Sequence, residues 1–514
     1  MSKFPDPTKD YKGEPLASPI DLSQTPPSPD TPLSFQTPSQ PFSSPPPIMP
    51  AASDPALTPP STQPVTPGTP PPVPHPESVQ PHPQSPPLRP SPFRNLIPLL
   101  IGGGVFVVLM FVAITLIPKL FTPQQKSITL TYWGLWEPSS VMQDVIAQYE
   151  ASNPGVKIVY TMQSPKNYRT RLENAIAQGN APDIARIHNT WLPMFQQKLS
   201  PAPDSSMLSD FYPIVSKNFL FGDKLYALPL MIDGLALFYN QSIFDEAKIT
   251  PPSDWNSLRK LAFDLTLRNP NTGIIERAGI ALGTTGNISH WSDILGLLIM
   301  QSSGNPGQPD SQAVKDAITF FTAFSTLDKT WDETQPNDIY AFATGTLAMV
   351  IAPSWQSAQI AAINPDLDFG VVPTPTLPET KTSWATYWAE AVPISSSNQA
   401  AAWDFINYLA SPDTLTQLYA NQAQLRPIGE IYPRRSMSSL LSTDKIAGAF
   451  VNQANNYTSW YLSSKTYDEG VNDELIKYYE DAINAINQGS SLNSVEKTLS
   501  SGVSQVLTKY PKAK

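Results

Sequence analysis

Residues 96–117 read LIPLLIGGGVFVVLMFVAITLI, without one charged side chain. A helix of about 20 apolar residues matches the thickness of a bilayer core, so this run is expected to cross a membrane once. Its depth in the chain rules out a signal peptide. Upstream, residues 1–94 hold 30 of the 58 prolines and few residues able to build a core. Such a segment cannot offset its ordering entropy by burial, and it reads as a disordered head of polyproline II character. It serves as a spacer, or else Pro45–Pro47 and Pro70–Pro72 dock in aromatic-lined grooves. The expected order is therefore a head (1–94), a transmembrane helix (95–118), a tether (119–126) and a folded part (127–514). Arg89 and Arg94 before the span balance Lys119 and Lys126 after it, so the positive-inside rule does not orient it.

Composition removes several classes of function. There is no cysteine, which excludes disulfides, thiolate metal sites, a cysteine nucleophile and a lipidated cysteine anchor. Of the four histidines, His75 and His82 fall in the head and only His188 and His290 in the folded part. Neither a metal site nor any other cofactor is expected. The net charge is −10, with no run of Lys or Arg, so nucleic acid is disfavoured as a partner. No Gly-x-x-x-x-Gly-Lys loop is present, so the chain handles no nucleotide by that route.

From Ser127 the texture alternates between two periodicities. Residues 128–132 (ITLTY) alternate like a strand, and Val141, Val145 and Tyr149 follow at helical spacing. Strands at 156–161 and 183–187 flank a helix marked by Tyr168, Leu172 and Ile176 and stopped at Gly179. Strand, helix, strand, helix, strand implies a parallel sheet covered by helices. Residues 222–240, GDKLYALPLMIDGLALFYN, behave differently: Pro229 and Gly234 break them into short extended pieces, and Asp233 is the one carboxylate inside an apolar run. Helices are expected at 253–268, 291–302, 312–327, 400–410, 474–488 and 494–507, with strands at 278–282, in 340–355 and at 367–372.

Four blocks, in order, resemble the maltose-binding-protein-like extracellular solute-binding proteins (family 1). They are residues 131–150 with the following NPGVKIVY; GNAPD at 179–183; residues 222–265; and the run from FATGTLAMVIAPSW at 342–355 through FGVVPTPTLP at 369–378 to AVPISSSNQAAAWDFINYLASPD at 391–413. The resemblance covers about residues 127–510. It implies an α/β, two-lobed periplasmic-binding-protein-like (type II) fold that closes on a ligand by hinge motion. Crossings between lobes are implied near 226–238, 369–374 and 411–426. Lobe one is then about 127–232 and 374–412, and lobe two about 233–370 and 427–514. It also implies a domain outside the cell with the head inside, feeding an ABC permease whose ATPase is a separate chain.

The expected ligand is a sugar or oligosaccharide. Hydroxyls suit carboxylates, amides and arginine, and the C–H faces of a sugar suit aromatic rings. Residues placed near the cleft by this reading are Trp133, Trp136 and Glu137 after the first strand, Asn189 and Trp191 after the third, and Asp233 on the crossing. Trp291, Trp355, Tyr387, Trp388, Glu390 and Arg426 complete the set. Asp233 and Trp355 also match ligand-contacting positions of the resembling family. Against each stands a plainer role: core packing for an aromatic, backbone hydrogen bonds for Asp233, a surface ion pair for Arg426. Trp255 and Trp403 read as core, and Asp183 as a residue that shapes its own loop. Other ligands to weigh are a peptide, a polyamine or a phosphorylated alcohol. Other functions are a sensor that signals through the anchor, or a glycan-active enzyme using two of Asp233, Glu137 and Glu390.

Overall fold

The computed structural model describes residues 3–4 and 127–511. The expected transmembrane helix and the tether lie outside the described residues, as does the proline-rich head apart from Lys3 and Phe4. Among the described residues no helix is long and apolar enough to cross a membrane.

The chain opens with β1 (Ile128–Gly134), α1 (Ser139–Ser152), β2 (Val156–Met162), α2 (Tyr168–Ala177), β3 (Ile184–His188), β4 (Leu199–Ser200) and α3 (Pro213–Phe219). After an extended stretch come β5 (Ala236–Asn240), α4 (Trp255–Leu265), β6 (Leu267–Arg268), β7 (Ile275–Ile280), α5 (Trp291–Gln301), α6 (Gln312–Thr326), β8 (Leu347–Ala352) and β9 (Phe369–Pro373). The last part carries β10 (Trp388–Pro393), α7 (Gln399–Leu409), α8 (Pro412–Gln422), α9 (Val471–Asn487) and α10 (Leu492–Lys509).

These strands form two five-stranded sheets, one in each lobe, ordered β2-β1-β3-β10-β4 and β9-β5-β8-β7-β6. In the first, β1 runs parallel to β2 and β3. β10 joins antiparallel to β3 and sets Glu390 opposite Arg186. The reasons are local. On β1, Leu130, Tyr132 and Gly134 face inward. On α1, Val141, Val145 and Tyr149 make a buried stripe, as amphipathic spacing requires. Gly179 follows α2 with φ +73°, where a side chain would be strained. In the second sheet all six residues of β8 are buried, as befits a strand covered on both faces.

Some boundaries differ from the sequence expectation. The helix expected to reach residue 268 stops at Leu265, because Thr266 Oγ1 donates to the Ala262 carbonyl at 2.6 Å and accepts from Gly279 N at 3.0 Å. That pair turns the chain into the sheet edge. The next strand runs over residues 275–280 rather than 278–282. Just beyond the helix expected at 400–410, Pro412 opens a further one that the sequence expectation lacks, α8, since a first-turn proline has no N–H to lose.

Three segments run side by side between the sheets. Ile232 N donates to the Ile431 carbonyl at 2.8 Å, Thr386 N to the Asp233 carbonyl at 3.0 Å, and Leu228 and Glu390 exchange backbone bonds. Gly234 is required here, since a Cβ would lie 2.0 Å from the Trp384 carbonyl oxygen. Residues 228–235 thus lead toward β5 laced to residues 384–390 and 431, in the region where the family resemblance implies a crossing. Phe4 also packs on lobe two: its ring stacks on Phe320 at 4.9 Å, and Lys3 Nζ donates to Ser303 Oγ at 2.9 Å.

Candidate ligand-binding site

Strand ends and crossings meet at a cavity of ≈ 230 Å³ between the two sheets. Lobe one supplies Trp136, His188, Thr386, Tyr387 and Trp388. The crossings supply Met231, Asp233, Arg426 and Glu430. Lobe two supplies His290, Trp355 and the loop carrying Ser464, Lys465 and Tyr467. Pockets between sheet ends are the ordinary place for small ligands in α/β proteins.

Three large rings in this cavity stay open to water: Trp136 and Trp355 are each 39% exposed and Tyr467 41%. Rings of that size are normally buried, so each holds a surface in reserve. Trp136 packs edge-on against Trp388 at 5.8 Å and leans on Tyr467 at 6.3 Å. Trp388 is in turn held by His188 at 5.0 Å and by Trp191 at 5.2 Å. On the lobe-two side Trp355 packs edge-on against His290 at 5.3 Å.

The polar groups are held as firmly. Asp233 is buried on the crossing. It accepts from Gly234 N at 2.7 Å, Ser354 N at 3.1 Å and Ser354 Oγ at 2.8 Å. Burial pushes its carboxyl up to about 7, against the pull of those donors. Arg426 pairs with Glu430 at 2.7 Å, and its buried Nε has no partner among the described residues. His188 is pushed down to about 3 by burial, so it is neutral. Its Nδ1 accepts from Thr190, which leaves Nε2 to donate to Thr386 Oγ1 at 3.1 Å. The cavity thus carries two acids, Asp233 and Glu430, and two bases, Arg426 and Lys465.

Of the residues the sequence placed near a cleft, Trp136, Asp233, Trp355, Tyr387, Trp388 and Arg426 line this one cavity. The others sit elsewhere. Trp133 is half-buried on β1 and Trp191 is fully buried beneath Trp388. Asn189 lines a different groove and braces the site from behind, accepting from Tyr387 N at 3.1 Å. Trp291 lines a separate cavity on lobe two. Glu137 and Glu390 are committed to a buried cluster: Arg186 Nη1 reaches Glu137 Oε2 at 2.5 Å, and Arg186 Nη2 reaches Glu390 Oε1 at 2.6 Å. Tyr132 donates to Glu390 Oε1 at 2.9 Å. Burial pushes the Glu390 carboxyl up while Arg186 draws it down. The alternative roles fare as follows. Asp233 does take backbone bonds and still lines the cavity, and Arg426 does pair with an acid and still lines it. Asp183 ties its loop to Thr131 and Ser396, and Trp255 and Trp403 are core. Sequence reasoning missed His188, Met231, His290, Thr386, Glu430, Ser464, Lys465 and Tyr467. The nearest signal was the scarcity of histidine, since both histidines of the folded part fall in this cavity.

Comparison with known proteins bears on this arrangement. Residues 134–415 match the bacterial extracellular solute-binding protein family. The diacetylchitobiose-binding protein DasA of Streptomyces coelicolor is 24% identical over 306 residues, covering 55% of this chain and 69% of that protein. The maltotriose-binding protein of Pyrococcus abyssi is 23% identical over 319 residues, covering 58% and 66%. Among solved structures, the sugar-binding protein MalE of Xanthomonas citri superposes with a TM-score of 0.61 at 20% identity, over 74% of this chain and 98% of that one. With the family matched over more than half of its length, in the stretch that builds both sheets and most of the cavity, this chain belongs to the bacterial extracellular solute-binding proteins.

Proposed function

We propose that this protein is the solute receptor of an ATP-driven importer and that its solute is a neutral sugar or oligosaccharide. The observation that carries the reading is the set of half-exposed rings, Trp136, Trp355 and Tyr467, disposed around Asp233 and Arg426 in one interlobe cavity. Rings take the C–H faces of a sugar, while the carboxylate and guanidinium take its hydroxyls. The balance of two acids and two bases favours a neutral ligand over a polyamine or a phosphorylated alcohol. Sugar-binding relatives support the same class.

The ligand stabilises the closed form, to the extent that it binds that form better, and the closed form docks on a permease and ATPase supplied by other chains. Residues 96–117 anchor the receptor in the membrane, with the binding domain outside. Binding proceeds without turnover: Glu137 and Glu390 are occupied by Arg186 and do not line the cavity with Asp233, so the carboxylate pair that glycoside hydrolysis needs is not formed by these residues.

The test is a thermal-shift and calorimetric screen of the full chain in detergent against sugars, polyamines, amino acids and phosphorylated alcohols. A ligand at 100 times its Kd adds ~2.7 kcal/mol of stability. A sugar is expected to shift the melting point, and Trp355→Ala or Asp233→Ala to abolish the shift. A shift by a non-sugar alone overturns the ligand class.

A further inference from the structure

Behind the wall of the central cavity runs a file of side chains that starts on α9 and ends at the ligand. Asn472, fully buried, donates from Nδ2 to Thr190 Oγ1 at 2.7 Å. The Thr190 hydroxyl meets His188 Nδ1 at 2.8 Å, and His188 Nε2 meets Thr386 Oγ1 at 3.1 Å. Of these four residues, His188 and Thr386 line the cavity, while Thr190 and Asn472 do not.

The direction of each link is set by its neighbours. Ser463 N, which can only donate, reaches Asn472 Oδ1 at 3.2 Å, and the Asp468 carboxylate takes Asn472 Nδ2 at 2.8 Å. The amide is therefore held with its nitrogen toward Thr190. Thr190 Oγ1 accepts there, so its single proton goes to His188 Nδ1. Thr190 N reaches the same ring nitrogen at 3.3 Å, the weaker of the two donors. Nδ1 is thus bare and the ring proton sits on Nε2. Thr386 Oγ1 accepts from that N–H, and its own hydrogen has no acceptor among the described residues. The Thr386 hydroxyl is half-buried in the cavity wall. Accepting one bond polarises a hydroxyl into a stronger donor, and a donor that a ligand covers without pairing is costly.

We propose that Thr386 is a specificity-determining donor of the ligand site, and that Asn472, which does not line the cavity, sets it as one through Thr190 and His188. The solute then has to offer an acceptor at Thr386, as the ring, glycosidic and hydroxyl oxygens of a sugar do. A polyamine, whose ammonium groups only donate, would set donor against donor. The inference rests on the receptor reading above and deepens it. Asn472 is a positioning residue, and its effect reaches the solute as the direction of a hydrogen bond.

The experiment has two arms, both on the full chain in detergent. In the first, histidine is labelled with nitrogen-15 and the His188 ring is assigned by difference against His188→Gln. The ring is expected to show a bare Nδ1 and a protonated Nε2. Asn472→Asp, of the same size but an acceptor where Asn472 donates, draws the Thr190 proton away from His188. It is expected to move the ring proton toward Nδ1, and Asn472→Ala, which only releases Thr190, to move it less in the same direction. A wild-type ring protonated on Nδ1 overturns the proposal, and a ring that neither variant moves overturns the role of Asn472. In the second arm, the thermal-shift and calorimetric screen is repeated on Thr386→Val and Thr386→Ser. Each compound that binds the wild type is expected to bind Thr386→Val about tenfold more weakly, roughly one hydrogen bond, and Thr386→Ser within about twofold. Equal affinity in all three proteins, or a polyamine among the binders, overturns the donor role. Binding by phosphorylated alcohols alone, with the same losses, removes the sugar reading and leaves the donor standing. If no compound binds the wild type, the proposed solute class falls and the donor role with it.

Discussion

Asp233 shows how one residue links burial to binding. Its folded carboxyl is pushed up to about 7 by burial, well above the ordinary value near 3.9. The folded state therefore keeps a proton that the unfolded state has lost. Asp233 contributes stability that is full below about pH 4 and is lost as pH rises through about 7. A ligand hydroxyl donating to the carboxylate reverses the balance, because it favours the charged form. Sugar affinity is thus expected to rise between pH 6 and pH 8, with a proton released on binding near pH 6.5. Calorimetry in two buffers of different ionisation heat checks the release, and Asp233→Asn should flatten both the affinity profile and the pH dependence of the ligand-free melting point. Arg186 is the contrasting case. Arg186→Met leaves Glu137 and Glu390 buried and unpaired, at a cost of ~3–5 kcal/mol, read by denaturant unfolding. Replacing all three residues with apolar ones of similar size is expected to cost less than the single change. In the sequence, an acid beside a tryptophan reads the same whether it faces a ligand or an arginine. The cross-strand register that sets Glu390 opposite Arg186 has no signature along the chain, which is why Glu137 and Glu390 looked like Asp233.

At the scale of elements, legibility followed periodicity. The early strands and helices, β1 through β3, announced themselves because one face of each is apolar and Gly179 marks a stop. The loop over residues 463–470 did not. Lys465, Tyr467 and Glu469 all sit at positive φ, yet SSKTYDEG offers glycine only at its end, so the usual turn chemistry is missing. What sets this conformation is tertiary: Asp468 gathers the backbone from one side, and Asp293 holds Ser464 from the other. The loop also grips lobe one, since Asn472 Nδ2 donates to Thr190 Oγ1 at 2.7 Å and Tyr467 leans on Trp136. Asp468→Ala removes the acceptor of three backbone donors and one side-chain donor. It is expected to destabilise the domain by on the order of 3 kcal/mol. It should also weaken sugar binding, through Lys465 and Tyr467, by more than the loss of stability alone explains. Thermal unfolding and titration of the same variant separate the two effects.

For the whole molecule, the two-lobed plan came from the family resemblance carried by four blocks of sequence, while strand–helix alternation showed only helix-covered sheet; the relation of the head to the domain followed from neither. Two features pull in opposite directions. Phe4 stacks on Phe320 and Lys3 reaches Ser303, which places the start of the chain on the same side of a membrane as the binding domain. A single crossing by residues 96–117 places it on the other side. Magnitudes decide between them. Burying one phenylalanine is worth ~1.5–3 kcal/mol, with ~0.5–1.5 more for a ring pair. The span holds 15 Leu, Ile, Val and Phe residues, each contributing ~0.3–0.6 kcal/mol to insertion near the bilayer centre, a sum on the order of 5–9 kcal/mol. By these magnitudes insertion outweighs the contact, so on the proposal that residues 96–117 cross once, the contact of Phe4 is expected to belong to the chain outside a membrane and to break once the span is in place. Because the protein has no cysteine, a single Ser2→Cys variant reports the outcome cleanly. In intact cells it is expected to resist a membrane-impermeant maleimide, while a cysteine introduced at the exposed Leu425 of the binding domain is labelled. In detergent-free chain prepared without membranes, Phe4→Ala is expected to lower the melting point, and in membranes to leave it unchanged. Labelling of Ser2→Cys from outside reverses the conclusion: residues 96–117 then do not cross once, and the head is a docked part of the receptor.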